Sequence, residues 1–170
     1  MNNHCLDIII DDDRWLVGDL KNFAQIVFSK ILSYVKKNNL GKGIGFDKPI
    51  RACLCLSNDS EVQKLNAEFR GKDKTTNVLS FANVDDDDFI SNLNLEEEVE
   101  LGDIIMAFET VKNEAGQKKI SLNSHFAHLL IHGLLHLFGY DHQNDEEADE
   151  MENFEIEILA QLGIGNPYID

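Results

Sequence analysis

The segment Ser121-Leu122-Asn123-Ser124-His125-Phe126-Ala127-His128-Leu129-Leu130-Ile131-His132-Gly133-Leu134-Leu135-His136-Leu137-Phe138-Gly139-Tyr140-Asp141-His142 is apolar on almost every side. Phe126, Leu129, Leu130, Ile131, Leu134, Leu135, Leu137 and Phe138 leave no continuous polar stripe, so this helix belongs at the centre of the molecule. Ser121 to Ser124 supply capping residues at its start, and Gly139 marks its end. Five of the chain's six histidines fall between His125 and His142. Imidazoles on a buried helix must find partners.

Outward from this helix, short apolar runs alternate with helical stripes. Leu6 to Ile10 reads as a strand. Leu16, Leu20, Phe23, Val27, Ile31 and Tyr34 mark a helix from about Trp15 to Lys37, and Asn38 to Gly45 a glycine-rich loop. Arg51 to Ser57 reads as a strand buried on both faces, with Cys53 and Cys55 as core packing. Asn58 and Glu61 form a capping box for a helix whose buried stripe is Val62, Leu65 and Phe69, ending at Gly71. Asn77 to Ala82 is a third strand, Asp85 to Glu100 a solvated acidic loop, and Asp103 to Phe108 a fourth strand. A helix from about Glu109 to Lys118 follows. Asn144 and Glu147 open the last helix, with Ala148, Met151, Phe154, Ile158 and Leu162 inward and Gly163 at its end. The expectation is one α+β domain over residues 1–170, with a mixed sheet of about four strands packed with about five helices.

Composition narrows the function classes. A chain of 170 residues, 43% apolar, buries roughly 70% of its unfolded surface, so a metal is not needed merely to hold it together. Fifteen Lys and Arg against 31 Asp and Glu give a net charge of −16, which opposes general attraction to nucleic acid or anionic membrane. A polyanion must then meet a local basic patch. Cys5, Cys53 and Cys55 contain no C-x-x-C pair, so neither a disulfide framework nor a cysteine zinc site is expected, and a reducing cytoplasm is the simplest setting. No signal-peptide pattern or run of ~20 apolar residues is present, so no membrane partner is expected.

His132 and His136 stand at i and i+4, which stacks both rings on one helix face as two zinc ligands. His128 shares that face but lies ~12 Å along the axis from His136, too far for a common ion. His142 is better placed, because Gly139 can take a left-handed conformation and turn the chain back. The pattern His132-x-x-x-His136-x-x-Gly139-x-x-His142 has metzincin spacing, but Gly133 stands where those proteases carry their general base, which disfavours a peptidase. Three imidazoles on one Zn²⁺ per chain leave a fourth position open, as in catalytic sites. His125 and His128 are expected to be a near-surface or second-layer pair, and His4 incidental. Asp141 reads equally as an orienting or proton-accepting carboxylate and as a turn residue. The eight carboxylates from Asp145 to Glu157 read as a solvated face.

Arg70-Gly71-Lys72-Asp73-Lys74 places three basic residues in five positions. Arg70 suits a phosphate beside a metal, since its planar fork can hold the anion; the cluster equally suits the dipole at a helix C-terminus, and position alone leaves both open.

His132-Gly133-Leu134-Leu135-His136-Leu137-Phe138-Gly139-Tyr140-Asp141-His142 resembles the signature of the YbeY family of bacterial metal-dependent endoribonucleases and rRNA maturation factors. Leu65-Asn66-x-x-Phe69-Arg70-Gly71-Lys72-Asp73-x-Thr75-Thr76-Asn77-Val78-Leu79-Ser80-Phe81 is similar to the family's other hallmark, and Leu101-Gly102-Asp103-Ile104 to a third. The resemblance spans roughly Ser57 to Gly163. The sequence departs from the commoner pattern at Thr75-Thr76 and at Ala82, where proline is frequent, and neither departure touches a proposed ligand. The resemblance implies zinc on His132, His136 and His142, with Arg70 required for activity. It also implies cleavage of single-stranded RNA, maturation of the small-subunit rRNA 3′ end, ribosome quality control, and the small ribosomal subunit and ribosomal proteins as partners, with no DNA substrate. Either water activated at the zinc or the RNA's own 2′-hydroxyl then attacks the phosphodiester, with Arg70 on the phosphate. The alternative from another class is a ribosome-assembly binding factor with a structural metal, favoured by the acidic charge.

Overall fold

The computed structural model describes residues 3–169. Its four strands, β1 (Cys5–Ile10), β2 (Ile50–Ser57), β3 (Val78–Ala82) and β4 (Val99–Ala107), form one sheet in the order β1-β2-β4-β3. β1, β2 and β4 run parallel and β3 joins β4 antiparallel, so the sheet is mixed and β3 is an edge. The helices are α1 (Leu20–Lys37), α2 (Asp59–Arg70), α3 (Phe89–Asn92), α4 (Phe108–Lys118), α5 (Leu122–Leu137) and α6 (Asp145–Gln161). The α+β expectation holds, with the four-residue α3 added to the five helices expected.

Helix α5 takes the central place that its composition demands. It packs on β3 and β4 and against α1, α4 and α6. Phe126, Leu130, Ile131, Leu134, Leu135 and Leu137 are fully buried among Leu54, Leu56, Ile104 and Met106 from the sheet and Val27 and Ile31 from α1. The Ser121 side chain accepts the N–H of Ser124 at its start, and the expected caps at Asn58 and Asn144 form in the same way.

Several expected boundaries change. α1 begins at Leu20, because Asp12 caps a separate 3-10 turn (Asp13–Trp15) and Gly18 has a positive φ of 58°. That turn buries Trp15, whose Nε1–H donates to the Ser57 carbonyl (2.7 Å), while Leu16 is exposed. The acidic stretch is not a bare loop. It holds α3, two 3-10 turns and the start of β4 at Val99, and Phe89 and Leu93 pack on the core between its carboxylates. β2 is buried on one face only. α2 covers the other face of the sheet over Leu79, Phe81, Ile105 and Ala107, leaving Cys53 and Cys55 half-buried toward an uncovered side, with Cys55 Sγ 3.4 Å from Asp11. Phe69 is 62% exposed, its ring set edge-on to Phe81 rather than in the core.

Gly102 lets β3 and α5 close on β4. Its φ is +132°, and a Cβ there would lie 2.0 Å from the Phe81 carbonyl oxygen and 3.2 Å from Leu137. Gly102→Ala is therefore expected to lower unfolding stability by ~3 kcal/mol, through overpacking and backbone strain. Urea denaturation measures this, and an unchanged midpoint would contradict the packing described.

Candidate metal centre

α5 and the turn after it aim three imidazoles at one point. The rings of His132 and His136, one helical turn apart, have centroids 4.5 Å apart. After Leu137 the chain turns at Gly139 (φ 97°), which brings the His142 ring to 5.5 Å from His132 and 5.2 Å from His136. One nitrogen from each histidine lies within 4.8 Å of the others. Tetrahedral bonds of ~2.1 Å to a common ion require nitrogens ~3.4 Å apart, within reach of small ring rotations. The turn itself is held from outside. Lys42 Nζ donates to the Gly139 carbonyl (3.2 Å) and sits 4.0 Å over the Tyr140 ring, and the Tyr140 hydroxyl donates to the Leu40 carbonyl (2.8 Å).

The hydrogen bonds behind the rings decide what they offer in front. His132 Nδ1 is 3.1 Å from a Glu155 carboxylate oxygen, and His136 Nδ1 is 2.7 Å from the Tyr140 carbonyl oxygen. Both partners only accept, so both Nδ1 atoms carry the proton. In the neutral rings the two Nε2 lone pairs then face each other at 3.0 Å. Burial, reinforced by neighbouring His132, drops the His136 pKa to about 4, so that ring is neutral near pH 7. Two lone pairs at that distance repel unless a cation lies between them, and this donor set fits a metal.

The three histidines lie in the wall of a cleft of about 710 Å³. Arg70, at the end of α2, lines the same cleft. Gly71 takes the left-handed conformation (φ 67°) there and the buried Asn66 side chain donates to the Lys74 carbonyl (2.8 Å), turning the basic island into the cleft. Arg70 Nη2 donates to the Ser80 carbonyl (2.7 Å), and the guanidinium lies over Phe81 at 5.6 Å. The structure thus brings Arg70 and the three histidines to one cleft.

Residues 19–163 match the family model described as Endoribonuclease YbeY. The chain belongs to the YbeY family. Two relatives named Endoribonuclease YbeY are similar to most of it. That of Sphingopyxis alaskensis is 49% identical over 122 residues (71% of this chain, 73% of the relative), and that of Francisella tularensis subsp. novicida 50% identical over 118 residues (68% of each). The solution structure of TM1509 from Thermotoga maritima is similar in fold, with a TM-score of 0.55 at 21% identity, covering 94% of this chain and 92% of that one.

Within this YbeY chain, Gly133 has a steric reason. A Cβ there would lie 3.1 Å from both Ser80 Oγ and Ile104 Cδ1, so position 133 faces the sheet and any side chain there would have to displace these neighbours. Asp141 serves the turn: its oxygens accept the His142 N–H (2.8 Å) and the Gln143 side-chain N–H (2.8 Å). His125 and His128 are buried rather than near the surface. His125 Nε2 meets Glu114 (2.6 Å), which also accepts from Asn77, and His128 Nε2 meets Glu155 (2.9 Å) and the Tyr168 hydroxyl (3.1 Å). His4 is not among the residues that line this cleft; its Nδ1 accepts the Ile50 N–H (3.0 Å).

The reading of the α6 carboxylates as one solvated face fails at Glu155, which is 1% exposed. Burial would raise its pKa, but the bonds from His128 and His132 outweigh burial and hold it at about 2. Glu155 is thereby an ionised acceptor that fixes His132. Its sequence signal was present: position 155 falls between Met151 and Ile158 on the apolar stripe, where a charge needs a partner. Lys42, Tyr140 and Tyr168 carried no such signal, because their partners are distant in sequence.

These shifts fix a pH dependence for the metal-free protein. His136 titrates at about 4 when folded against an ordinary 6.5, so below pH 6.5 the unfolded chain takes up the proton first, and stability is lost as pH falls toward 4. Glu155, lowered from 4.5 to about 2, adds a loss between those values. The Tm of the metal-free protein is expected to fall steadily from pH 6.5 to 4, less steeply in His136→Asn. A flat Tm over that range would contradict the assignment.

Proposed function

We propose that this chain is a zinc-dependent endoribonuclease acting on single-stranded RNA in the cytoplasm, in maturation of the small-subunit rRNA 3′ end and in ribosome quality control, with residues 1–170 as one catalytic domain. The observation that carries it is the set of three converging imidazoles in a cleft that Arg70 also lines. Family membership supports an RNA-cleaving hydrolase, and the nitrogen-only donor set supports zinc.

His132, His136 and His142 would hold the ion. When bound, it supplies Lewis acidity and positive charge beside the phosphodiester. Glu155 and the Tyr140 carbonyl keep two of the rings in the Nδ1–H form, so that their Nε2 atoms stay available as ligands. Arg70, with one donor committed to Ser80, keeps others for a phosphate oxygen and offsets charge that develops as the linkage is cut. The net charge of −16 favours basic ribosomal proteins as docking partners on the small subunit. The same charge favours the second reading, an assembly factor that binds but does not cut.

Elemental analysis of protein purified without a histidine tag should find about one zinc per chain in the wild type and none in His136→Ala. With zinc retained, Arg70→Ala should lower kcat/KM on single-stranded RNA by roughly 10²–10³, the usual cost of one charge-stabilising donor. Zinc-loaded wild type that leaves RNA intact, or Arg70→Ala that retains assembly function, would favour the binding factor. A 2′,3′-cyclic phosphate on the product would identify the RNA's own 2′-hydroxyl as nucleophile.

A further inference from the structure

Glu155 is the buried carboxylate that holds His132, and part of its own support comes from beyond α6. Its Oε1 accepts from His128 Nε2 (2.9 Å) and from His132 Nδ1 (3.1 Å), so both ring donors meet one oxygen. The other oxygen, Oε2, has one donor among the described residues, the Tyr168 hydroxyl at 3.0 Å, which also lies 3.2 Å from Oε1. No lysine or arginine pairs with this carboxylate among the described residues, and Glu155 is 1% exposed. An ionised group so placed depends on every donor it has, because an oxygen left bare in a covered site costs its full desolvation.

The chain folds back to deliver this hydroxyl. α6 runs past Glu155 to Gln161, Gly163 turns with a φ of 74°, and Ile164 closes the turn by donating its N–H to the Leu159 carbonyl (2.9 Å) while packing on the core. Asn166 Oδ1 then accepts the Tyr168 N–H (2.8 Å), which bends the chain across Pro167. From Gly163 to Tyr168 the backbone can span ~17 Å, enough to retrace the ~9 Å of helix between Glu155 and Gln161. The Tyr168 ring stands edge-on to His128, with centroids 5.4 Å apart. The residue stays 44% exposed while its hydroxyl reaches a buried carboxylate, so the polar contact rather than burial of the ring fixes its place.

We propose that Tyr168 is a positioning residue for the metal centre: its hydroxyl anchors Glu155 Oε2, which keeps Oε1 behind His132 and holds that ring's Nε2 toward the other two histidines. The proposal rests on the metal-binding reading of the three imidazoles. Tyr168 lies beyond residues 19–163, the span that matches the family, so that match assigns it no part. Without the hydroxyl, the carboxylate can rotate about its terminal bond until His128 and His132 each take one oxygen. That satisfies both oxygens but moves the acceptor from its place behind His132, and the direction of the ring is no longer fixed. His136 is unaffected, since the Tyr140 carbonyl holds it. The segment after α6 thus acts on one ligand of the three.

The test compares wild type, Tyr168→Phe, Glu155→Met and the double variant as zinc-loaded full chains. Tyr168→Phe keeps the ring and removes only the oxygen. Zinc release into excess chelator should be about tenfold faster in Tyr168→Phe, the lower end of what losing an outer partner of a ligand histidine costs in metal binding. In the Glu155→Met background the same substitution should add nothing, because the hydroxyl then has no carboxylate to anchor. Should Glu155→Met not fold, NMR of the ring N–H groups in zinc-loaded Tyr168→Phe decides alone: the His132 Nδ1–H signal should shift and exchange faster with water, while that of His136 stays as in wild type. Equal zinc release from wild type and Tyr168→Phe overturns the proposal, as does the same acceleration in the Glu155→Met background. Equal disturbance of both ring signals also overturns it, since that marks a loosened fold. Wild type that takes up no zinc overturns this proposal and the metal reading together, whereas zinc bound but indifferent to Tyr168 overturns this proposal alone.

Discussion

Two imidazole nitrogens, His132 Nε2 and His136 Nε2, are held 3.0 Å apart with a hydrogen-bond acceptor behind each ring. Because both acceptors lack a proton to give, neither ring can switch tautomer without breaking a partly buried hydrogen bond. The protein thus maintains two converging lone pairs that a cation relieves. Much of the architecture follows from keeping that arrangement fixed: α5 must be central so that its rings do not move, α6 must lie alongside it to present Glu155, and the turn at Gly139 must return His142 and the Tyr140 carbonyl to the same point.

The elements that hold this point come from distant parts of the chain. Lys42 and Leu40, in the loop after α1, secure the turn that carries the third histidine. Glu155 couples His132 to His128 and Tyr168, so one buried carboxylate accepts from three side chains and its charge is offset by donors rather than by a lysine or arginine. Gly133 lets α5 lie directly on Ser80 and Ile104, which draws the edge strand β3 and Arg70 to the cleft margin.

The histidine triplet was legible in the sequence because its signal is local, an i, i+4 pair and a glycine stop, whereas the cation cluster around Arg70 left two readings open. The α+β class was legible for the same reason, since stripes and caps repeat within a few residues. What was misread depended on partners far along the chain. Cys53 and Cys55 alternate like residues of a doubly covered strand, but α1, α5 and α6 all pack on the opposite face and the single helix behind the sheet covers β3 and β4. Phe89 and Leu93 were hidden by flanking carboxylates, and Glu155 by its place in an acidic run, although the apolar stripe around it marked the position as inward. Trp15 lies outside its expected helix, in the turn that Asp12 caps, where its indole N–H donates to the Ser57 carbonyl.

The central claim is that three imidazoles and no other protein group hold the metal, with one position left for a non-protein ligand. X-ray absorption at the metal edge of the loaded protein tests this most directly. The account predicts three imidazole nitrogens and one light-atom ligand from solvent, all at ~2.0–2.1 Å. A sulfur scatterer, or four protein ligands that close the site, would contradict it.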